Sequence, residues 1–490
     1  MSFRRPDAVA VFAVAFLLRI GTVLISPGGA GGNFGYDAGV YYTSADALLH
    51  GRWPYADFVL LHPPAIMLAV TPFAALGRAT SDHTGFIVAN TAFAALGAIS
   101  ATLVLVAARR LGFGRRAALV GGMFYAIWFG AMYAEISIRL EPLGNLAFLC
   151  GLVMLLGDRP LGRRRALLAG AALGVTLVVQ IWWIVPVAIL LGWELIAGRD
   201  PRATRSTVAG AALAVAAVAG PFFVHAPASM WRMVVSDQLG RGRIGPPVQR
   251  LGELSTVSWA APGVHGAAEA VLACALGSLV AASGMAAWRV PRARPLVVLL
   301  VAQLLVLGLA PSYFTFYDDY AAPALALVTA GAARAIATGA PRLGWAGPGA
   351  LAAAAALTAA TLVQPVAVVA RFPSAPLARA VRHVRCLMTD SPMVLIEVNA
   401  LSRDLANGCP NWVDVTGRTY GADNSPRPRP SNPRWQADLL RYLLSGQALL
   451  VIRPGTGLSA ATWRAIRRHP VLARAGGYTV YLTRGASGRA

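Results

Sequence analysis

Long apolar runs joined by short polar segments dominate the first three quarters of the chain. They cover about Val9–Ile25, Gly85–Ala107, Ala117–Tyr133, a stretch ending near Leu156, Ala166–Ile196, Thr207–Phe223, Ala267–Ala287, Pro295–Leu309, Ala321–Ile336 and Gly347–Ala370. A helix needs roughly 20 mainly apolar residues to cross a bilayer, so this pattern predicts a set of transmembrane helices. The run Pro64–Leu76 is too short for a crossing and is expected to lie at the interface or to re-enter on its own side. No cleavable leader is expected, because the first run lacks a small-residue cleavage site.

Arginines orient the runs. Arg4 and Arg5 precede the first one, which places the N-terminus in the cytoplasm. Further inside joints are marked by Arg109, Arg110, Arg115 and Arg116; by Arg159 and Arg163 to Arg165; by Arg199, Arg202 and Arg205; by Arg289, Arg292 and Arg294; and by Arg334 and Arg342. Between two inside joints Ala166–Ile196 has to cross twice, turning outside near Gln180–Trp183. The total is about eleven crossings, with the C-terminus outside. The outside joint after the seventh crossing also carries Arg232, Arg241, Arg243 and Arg250, against the rule unless they meet an anionic partner.

From about Arg371 the pattern changes. Short β-like runs appear at Met393–Val398, Trp412–Thr416, Ala448–Arg453 and Tyr478–Thr483. Helices are expected from Asn432-Pro433, with Asn as cap and Pro in the first turn, and from Ser459 through Trp463 to Arg468. Gly421–Pro433, with its four prolines, reads as a loop. The predicted architecture is an α-helical polytopic membrane domain over residues 1–370, followed by a small extracytoplasmic α/β domain over 371–490.

Composition agrees with that division. The 490 residues are 57% hydrophobic and 13% charged, where a soluble protein carries about 25% charged residues. The net charge is +22, with no lysine at all. A nucleic-acid binder can be this basic, but here the arginines fall in the joints between apolar runs, so no nucleic-acid partner is expected. The segment from Arg371 holds 17 arginines against 6 acidic residues, a net of +11, which suits anionic headgroups or an acidic glycan as well as a plain solvated surface. Cys150 and Cys274 lie in apolar runs and read as packing residues. Cys386 and Cys409 could pair if their segment is exported. No Walker motif supports an ATP-driven pump, and no repeated halves suggest a secondary transporter.

The polar residues placed on the outer side are Asp37, His62, Glu135, Arg139, Glu141, Gln180, Asp318 and Asp319, with Tyr36 and Tyr317 among the accompanying aromatics. Ionisable groups beside hydrocarbon are costly and usually functional. Asp37, the first acid after the first apolar run, can accept a proton from a hydroxyl; it could also simply cap the following helix Ala38–Leu49. Arg139 and His62 suit a phosphate, and Pro64–Leu76 suits a lipid tail. Glu135, Arg139 and Glu141 could equally form an exposed ion-pair cluster, and Asp318 and Asp319 could be solvated loop residues. Asp37, Glu135 and Glu141 are hard-oxygen groups of the kind that bind Mg or Mn, but no ligand spacing supports a metal, and no cofactor is expected.

Several of these segments resemble the GT-C superfamily of polyprenyl-phosphate-sugar-dependent membrane glycosyltransferases. Arg19 ends the first run; then come Tyr36-Asp37-Ala38-Gly39-Val40-Tyr41-Tyr42, Leu49-His50-Gly51, Pro54-Tyr55-Ala56-Asp57 and His62-Pro63-Pro64. This is similar to the family's first outer loop, and implies Asp37 as general base and His62 near the donor phosphate. Arg139-Leu140-Glu141-Pro142-Leu143 is similar to the family's second-loop acidic position, here Glu141, and Tyr317–Pro323 to the entry into a late span near the donor. His62 stands where some members have Lys, and Gln180 near where some have a basic residue. The likeness covers roughly residues 1–370. It implies transfer of a sugar, mannose or a pentose, from a polyprenyl phosphate to a glycan or glycolipid of an actinobacterial-type cell envelope, with Asp37 catalytic. Tyr36, His62, Glu135, Arg139, Glu141, Gln180, Tyr317, Asp318 and Asp319 would then bind substrate. The alternatives are a protein O-mannosyltransferase-like or lipid-A-type sugar transferase and, from another class, a lipid or polysaccharide flippase.

Overall fold

The computed structural model describes residues 5–156, 161–196, 201–241, 247–338, 340–363, 368–420, 428–452 and 457–483. Arg4, Arg159, Arg199, Arg243 and Arg453, and residues 421–427 of the expected loop, lie outside the described residues. The helices used below are α1 (Arg5–Ile25), α2 (Tyr36–Leu49), α3 (Ala65–Ala79), α4 (Asp82–Arg110), α5 (Arg115–Ile127), α6 (Phe129–Glu135), α7 (Leu140–Leu155), α8 (Arg163–Leu177), α9 (Ile184–Ile196) and α10 (Pro201–His225). They continue with α11 (Ala267–Trp288), α12 (Arg294–Leu309), α13 (Ala322–Ala335), α14 (Ala346–Val363), α15 (Pro392–Glu397), α16 (Leu401–Ala406), α17 (Pro433–Leu443) and α18 (Ala460–Arg467).

Each expected crossing falls on a helix, and the third falls on the broken pair α5 and α6, bent by 54°. Among the described residues, seven helical segments are long and apolar enough to cross a membrane, and the broken pair would make eight. The chain is thus a multi-span membrane protein. The helices α7, α8 and α9, of 16, 15 and 13 residues, fall short of a full crossing length, so eleven is not reached on length and composition. The expected double pass of Ala166–Ile196 does break at Val178–Trp183, between α8 and α9.

The described chain groups into two compact units. The first comprises residues 1–25, 91–220 and 243–368. In lipid, helices associate by close contact rather than by hydrophobic exclusion, and small residues allow that contact. Helix α13 is a run of mostly Ala and Gly, buried at nearly every position. A Cβ on Gly121 of α5 would stand 2.8 Å from the Ala326 carbonyl oxygen of α13. Gly170 and Gly174 of α8 meet the backbone of Thr207 and Ala211 on α10 in the same manner. The break between α5 and α6 sits at Trp128, whose backbone is extended and whose ring fills the space a side chain on Gly130 would need.

The second unit comprises residues 26–90, 221–242 and 369–490. The segment expected to stand alone from residue 371 therefore shares its unit with the first loop and its helices. A four-stranded sheet of order β1-β2-β4-β3 lies in it, with β1 Leu387–Thr389, β2 Ala448–Leu450, β3 Val471–Ala475 and β4 Tyr478–Leu482. β1 and β2 are parallel; β3 and β4 form a hairpin across Gly476 and Gly477, both at positive φ as a tight two-residue turn requires. β2, β4, α17 and α18 match expectation, and Asn432 and Ser459 cap the two helices. Two expected strands do not form. Met393–Val398 is instead helix α15 through Glu397, started by Pro392 and buried throughout, a case in which an apolar run carries no period to separate strand from helix. Trp412–Thr416 is a turn. Cys386 and Cys409 are disulfide-bonded, with Cα atoms 5.6 Å apart.

Two contacts fasten α2 to the late segment. Gly39 lies against α15 so closely that a Cβ there would be 2.6 Å from the Met393 nitrogen, a backbone atom with nowhere to retreat. Ser402 of α16 places one hydroxyl between two carboxylates, 2.9 Å from Asp46 and in a second short contact with Asp82. A hydroxyl has one proton to donate, so both contacts are hydrogen bonds only when one acid is protonated. Burial, then the neighbouring Asp82 charge, raise the Asp46 carboxyl to about 6, against the opposing pull of Ser402, His50 and Arg78. A carboxyl raised on folding stabilises the fold below its unfolded value near 3.8 and loses that contribution as pH rises towards 6. Asp46→Asn removes the penalty of the buried anion. Its stability relative to the parent should therefore climb by roughly 2–3 kcal/mol between pH 4 and pH 6.5 and then level off, read by thermal melts of the purified protein across pH.

Candidate active site

Asp37 sits in the first turn of α2, half-buried. It is not the cap. That position is Gly35, at φ +94°, which a side chain would strain, and its N–H donates to the Asn33 side chain at 2.8 Å. The helix start thus orients Asp37 without consuming it as a cap.

Around this turn the second unit assembles a polar cluster from distant parts of the chain. The Tyr36 hydroxyl donates to Asp414 at 2.9 Å and accepts from the Thr416 N–H at 2.8 Å. The same Asp414 oxygen accepts from the Gly417 N–H at 2.7 Å and the Thr416 hydroxyl at 3.2 Å. Burial raises the Asp414 carboxyl above the usual range; the hydrogen bonds from Gly417 and Tyr36 pull it back, the Asp37 charge pushes it up, and Arg241 lowers it. Arg241 also acts on His62 and on Asp237. The loop bearing His62 is held by its neighbours. Its carbonyl accepts from the Tyr55 hydroxyl at 2.7 Å, the Leu61 carbonyl accepts from Gln238 at 2.5 Å, and its ring meets Tyr41 edge-on. Desolvation, reinforced by Arg241, lowers His62 to about 3, so it is neutral at physiological pH. Arg241 is thus a cation that acts on Asp414, His62 and Asp237 alike.

The other seven expected site residues lie in the first unit. Glu135 is fully buried and ion-paired with Arg19, whose Nε stands 2.7 Å away, whose Nη2 also donates to it, and whose Nη1 donates to both the Ala15 and Ala126 carbonyls. Tyr125 donates to Glu135 at 2.8 Å and lies 3.4 Å from Asp319; Asn145 donates to Tyr125 and to the Asp319 carbonyl. Glu141, buried in the first turn of α7, is within electrostatic reach of Asp319. Arg139 lies 4.0 Å over the Phe316 ring. Tyr317 packs edge-on against Trp182, close to the buried Gln180 at the break before α9. Tyr313 donates to Asp318. The exposed cluster considered for Glu135, Arg139 and Glu141 does not form, since all three are buried and the acid paired with Arg is bound to Arg19 instead. Asp318 and Asp319 are likewise not solvated. Among the described residues no group of three or more His, Cys, Asp or Glu is arranged to hold a metal ion.

Arg241 and Asp414 escaped the sequence reading as site residues. Arg241 was visible as a positive charge in a joint expected to lie outside, against the charge rule. Asp414 lay in a run read as a strand, although the Gly three residues later marks a turn. Arg250, equally misplaced by the charge rule, donates to the carbonyls of Gly308, Ala310 and Pro311, where it terminates α12.

No sequence-family profile and no curated protein matches the chain. Solved structures do. ArnT from Cupriavidus metallidurans, crystallised bound to undecaprenyl phosphate, superposes with a TM-score of 0.58 at 17% identity, over 98% of each chain. Its apo form gives 0.59 at 16% identity, over 97% of each. The Archaeoglobus fulgidus oligosaccharyltransferase, tethered to an acceptor peptide containing the NVT sequon, gives 0.55 at 16% identity, over 91% of this chain and 69% of that one. The chain has the GT-C fold of membrane glycosyltransferases. At such identities the likeness is one of fold, and it extends through the C-terminal segment.

With His62 neutral, His62→Gln should leave the shape of any activity profile between pH 5.5 and 8 unchanged, as read from kcat/KM; a limb near pH 6.5 lost on substitution would contradict the buried, neutral imidazole.

Proposed function

We propose that the protein is an inverting glycosyltransferase that moves a sugar, mannose or a pentose, from a polyprenyl phosphate to a cell-envelope glycan or glycolipid on the outer face of the membrane. The observation that carries this reading is the cluster at the start of α2, where Asp37 and Arg241 both act on Asp414, on a chain with the GT-C fold. The acceptor hydroxyl gives its proton to the Asp37 carboxylate as its oxygen bonds to the anomeric carbon. The bond from that carbon to the phosphate oxygen breaks, and the electron pair leaves with the polyprenyl phosphate. Inversion follows from a single displacement. Arg241 meets the phosphate charge, a task that neutral His62 cannot perform.

The donor class is supported by the folds that match: one neighbour was crystallised with undecaprenyl phosphate, and another, the archaeal oligosaccharyltransferase, was solved in complex with a dolichol-phosphate. The disulfide supports an extracytoplasmic second unit, since such bonds persist in oxidising compartments. The seven first-unit residues are proposed to serve substrate binding at different removes. Arg139, Glu141, Gln180 and Tyr317 would act on substrate, while Glu135, occupied by Arg19 and Tyr125, would hold α6 in place.

The test is transfer from synthetic polyprenyl-phosphate mannose and arabinose by the protein in nanodiscs. Asp37→Asn should lower kcat by roughly 10²–10⁴-fold with normal folding, and Arg241→Ala should raise the donor KM about tenfold or more, with partial recovery in Arg241→Lys. Undiminished transfer by Asp37→Asn would remove the base, and movement of the lipid across the bilayer without transfer would favour a flippase.

A further inference from the structure

The reading above leaves the C-terminal segment without a role, yet its residues reach the helix that carries Asp37. Tyr36 precedes Asp37 in the chain, and its hydroxyl is fixed from two sides by the turn 414–417: it donates to Asp414 and accepts from the Thr416 N–H. The turn is itself closed by Asp414, whose carboxylate takes the Gly417 N–H. Gly417 is required there, because a Cβ would stand 2.3 Å from the Asp414 carboxylate. The residues just before the turn are anchored in turn: Trp412 stacks on Tyr442 with ring centroids 4.5 Å apart, and Arg418 lies 4.0 Å over its ring. A little farther along α2, Gly39 admits the backbone of Met393. The first turn of α2 is thus gripped at its start by residues 378 and 380 positions away in sequence.

We infer that Asp414 is a positioning residue for the transfer reaction: through the Tyr36 hydroxyl it sets the orientation of Asp37. The C-terminal segment is then part of the catalytic apparatus rather than an accessory domain. The inference rests on Asp37 being the base. The charged groups that face Asp414 are Asp37 from α2 and Arg241 from the segment after α10; Arg241 is faced in turn by Asp237 and His62. A displacement of about 1 Å in a reacting group costs on the order of 10²-fold in rate, so a lost clasp is visible in kcat even when folding is intact.

The experiment compares Tyr36→Phe, Asp414→Ala and the double variant with the parent, in nanodiscs, with a polyprenyl-phosphate-sugar donor. Each single variant should lower kcat by roughly 10–100-fold, and the double variant should be no worse than the poorer single, because once the carboxylate at 414 is gone the Tyr36 hydroxyl has no acceptor there left to lose. In both variants the loss should fall on kcat, with the donor KM close to that of the parent, since the clasp orients the base and does not hold the donor. A purely structural role would lower the melting temperature without splitting kcat from KM. Where Asp414→Ala fails to fold, Tyr36→Phe, which removes a single hydroxyl, decides by its kcat alone. Additive losses, or parent-like kcat in Tyr36→Phe, would overturn the inference while leaving Asp37→Asn inactive; an active Asp37→Asn would instead overturn the base assignment beneath it.

Discussion

A charge buried among apolar helices has to be met by another charge and by hydrogen bonds, and the Arg19–Glu135 pair shows how much structure that requirement commands. The guanidinium is spent on one carboxylate and two carbonyls, and the carboxylate on Arg19 and Tyr125. Through Tyr125 and Asn145 the network continues to Asp319. Space for it comes from Gly97 of α4, where a Cβ would stand 2.3 Å from the Glu135 carboxylate. Removal of either charge would strand the other in a medium that does not solvate it, a loss of several kcal/mol. The end of the broken α5–α6 pair and the entry into α13 are therefore registered by polar contacts, while the apolar faces around them supply area without direction.

The two units apply different physics to the same end. In the first, small residues let helices touch, and buried polar side chains such as Arg19, Glu135, Tyr125 and Asn145 are linked into a network. In the second, side chains from the first loop and from the end of the chain interlock. Asp37 rests on the second arrangement. Its helix begins at a positive φ that favours glycine, carries a tyrosine clasped by a remote turn, and is flattened at Gly39 against another helix. None of these is a catalytic group, and all three restrict where the carboxylate can point.

Much of this was legible beforehand, for reasons that can be named. Apolar runs with arginine at their ends locate membrane helices because hydrocarbon tolerates little else; every expected crossing falls on a helix, and α7, α8 and α9 are shorter than a full crossing. Local chemistry was equally readable: Asn432 and Ser459 cap the helices that their side chains announce. What escaped was long-range. Met393–Val398 is apolar at nearly every position, so it carries no period, and only its burial against α2 settles that it is helical. Asp414 reads as one polar residue in a short run until Tyr36 is placed beside it. Glu135 invited pairing with Arg139, its neighbour in sequence, but Arg19 is its partner across 116 positions. Arg250 broke the charge rule because its negative partner is the end of a helix, which no acidic residue marks.

The close approach at Gly39 also bears on the order of events at the ribosome. Leu49 ends α2, and Asp414 lies roughly 365 residues further on. At about 5–20 residues per second, a newly made α2 waits on the order of 20–70 seconds before α15, Ser402 and Asp414 exist to pack against it. During that interval the helix bearing Asp37 has a glycine-shaped notch and a tyrosine with nothing to fill or fasten them. Synthesis through residue 414 is then the step that sets the carboxylate, and a chain terminated before it would hold Asp37 in an unformed setting.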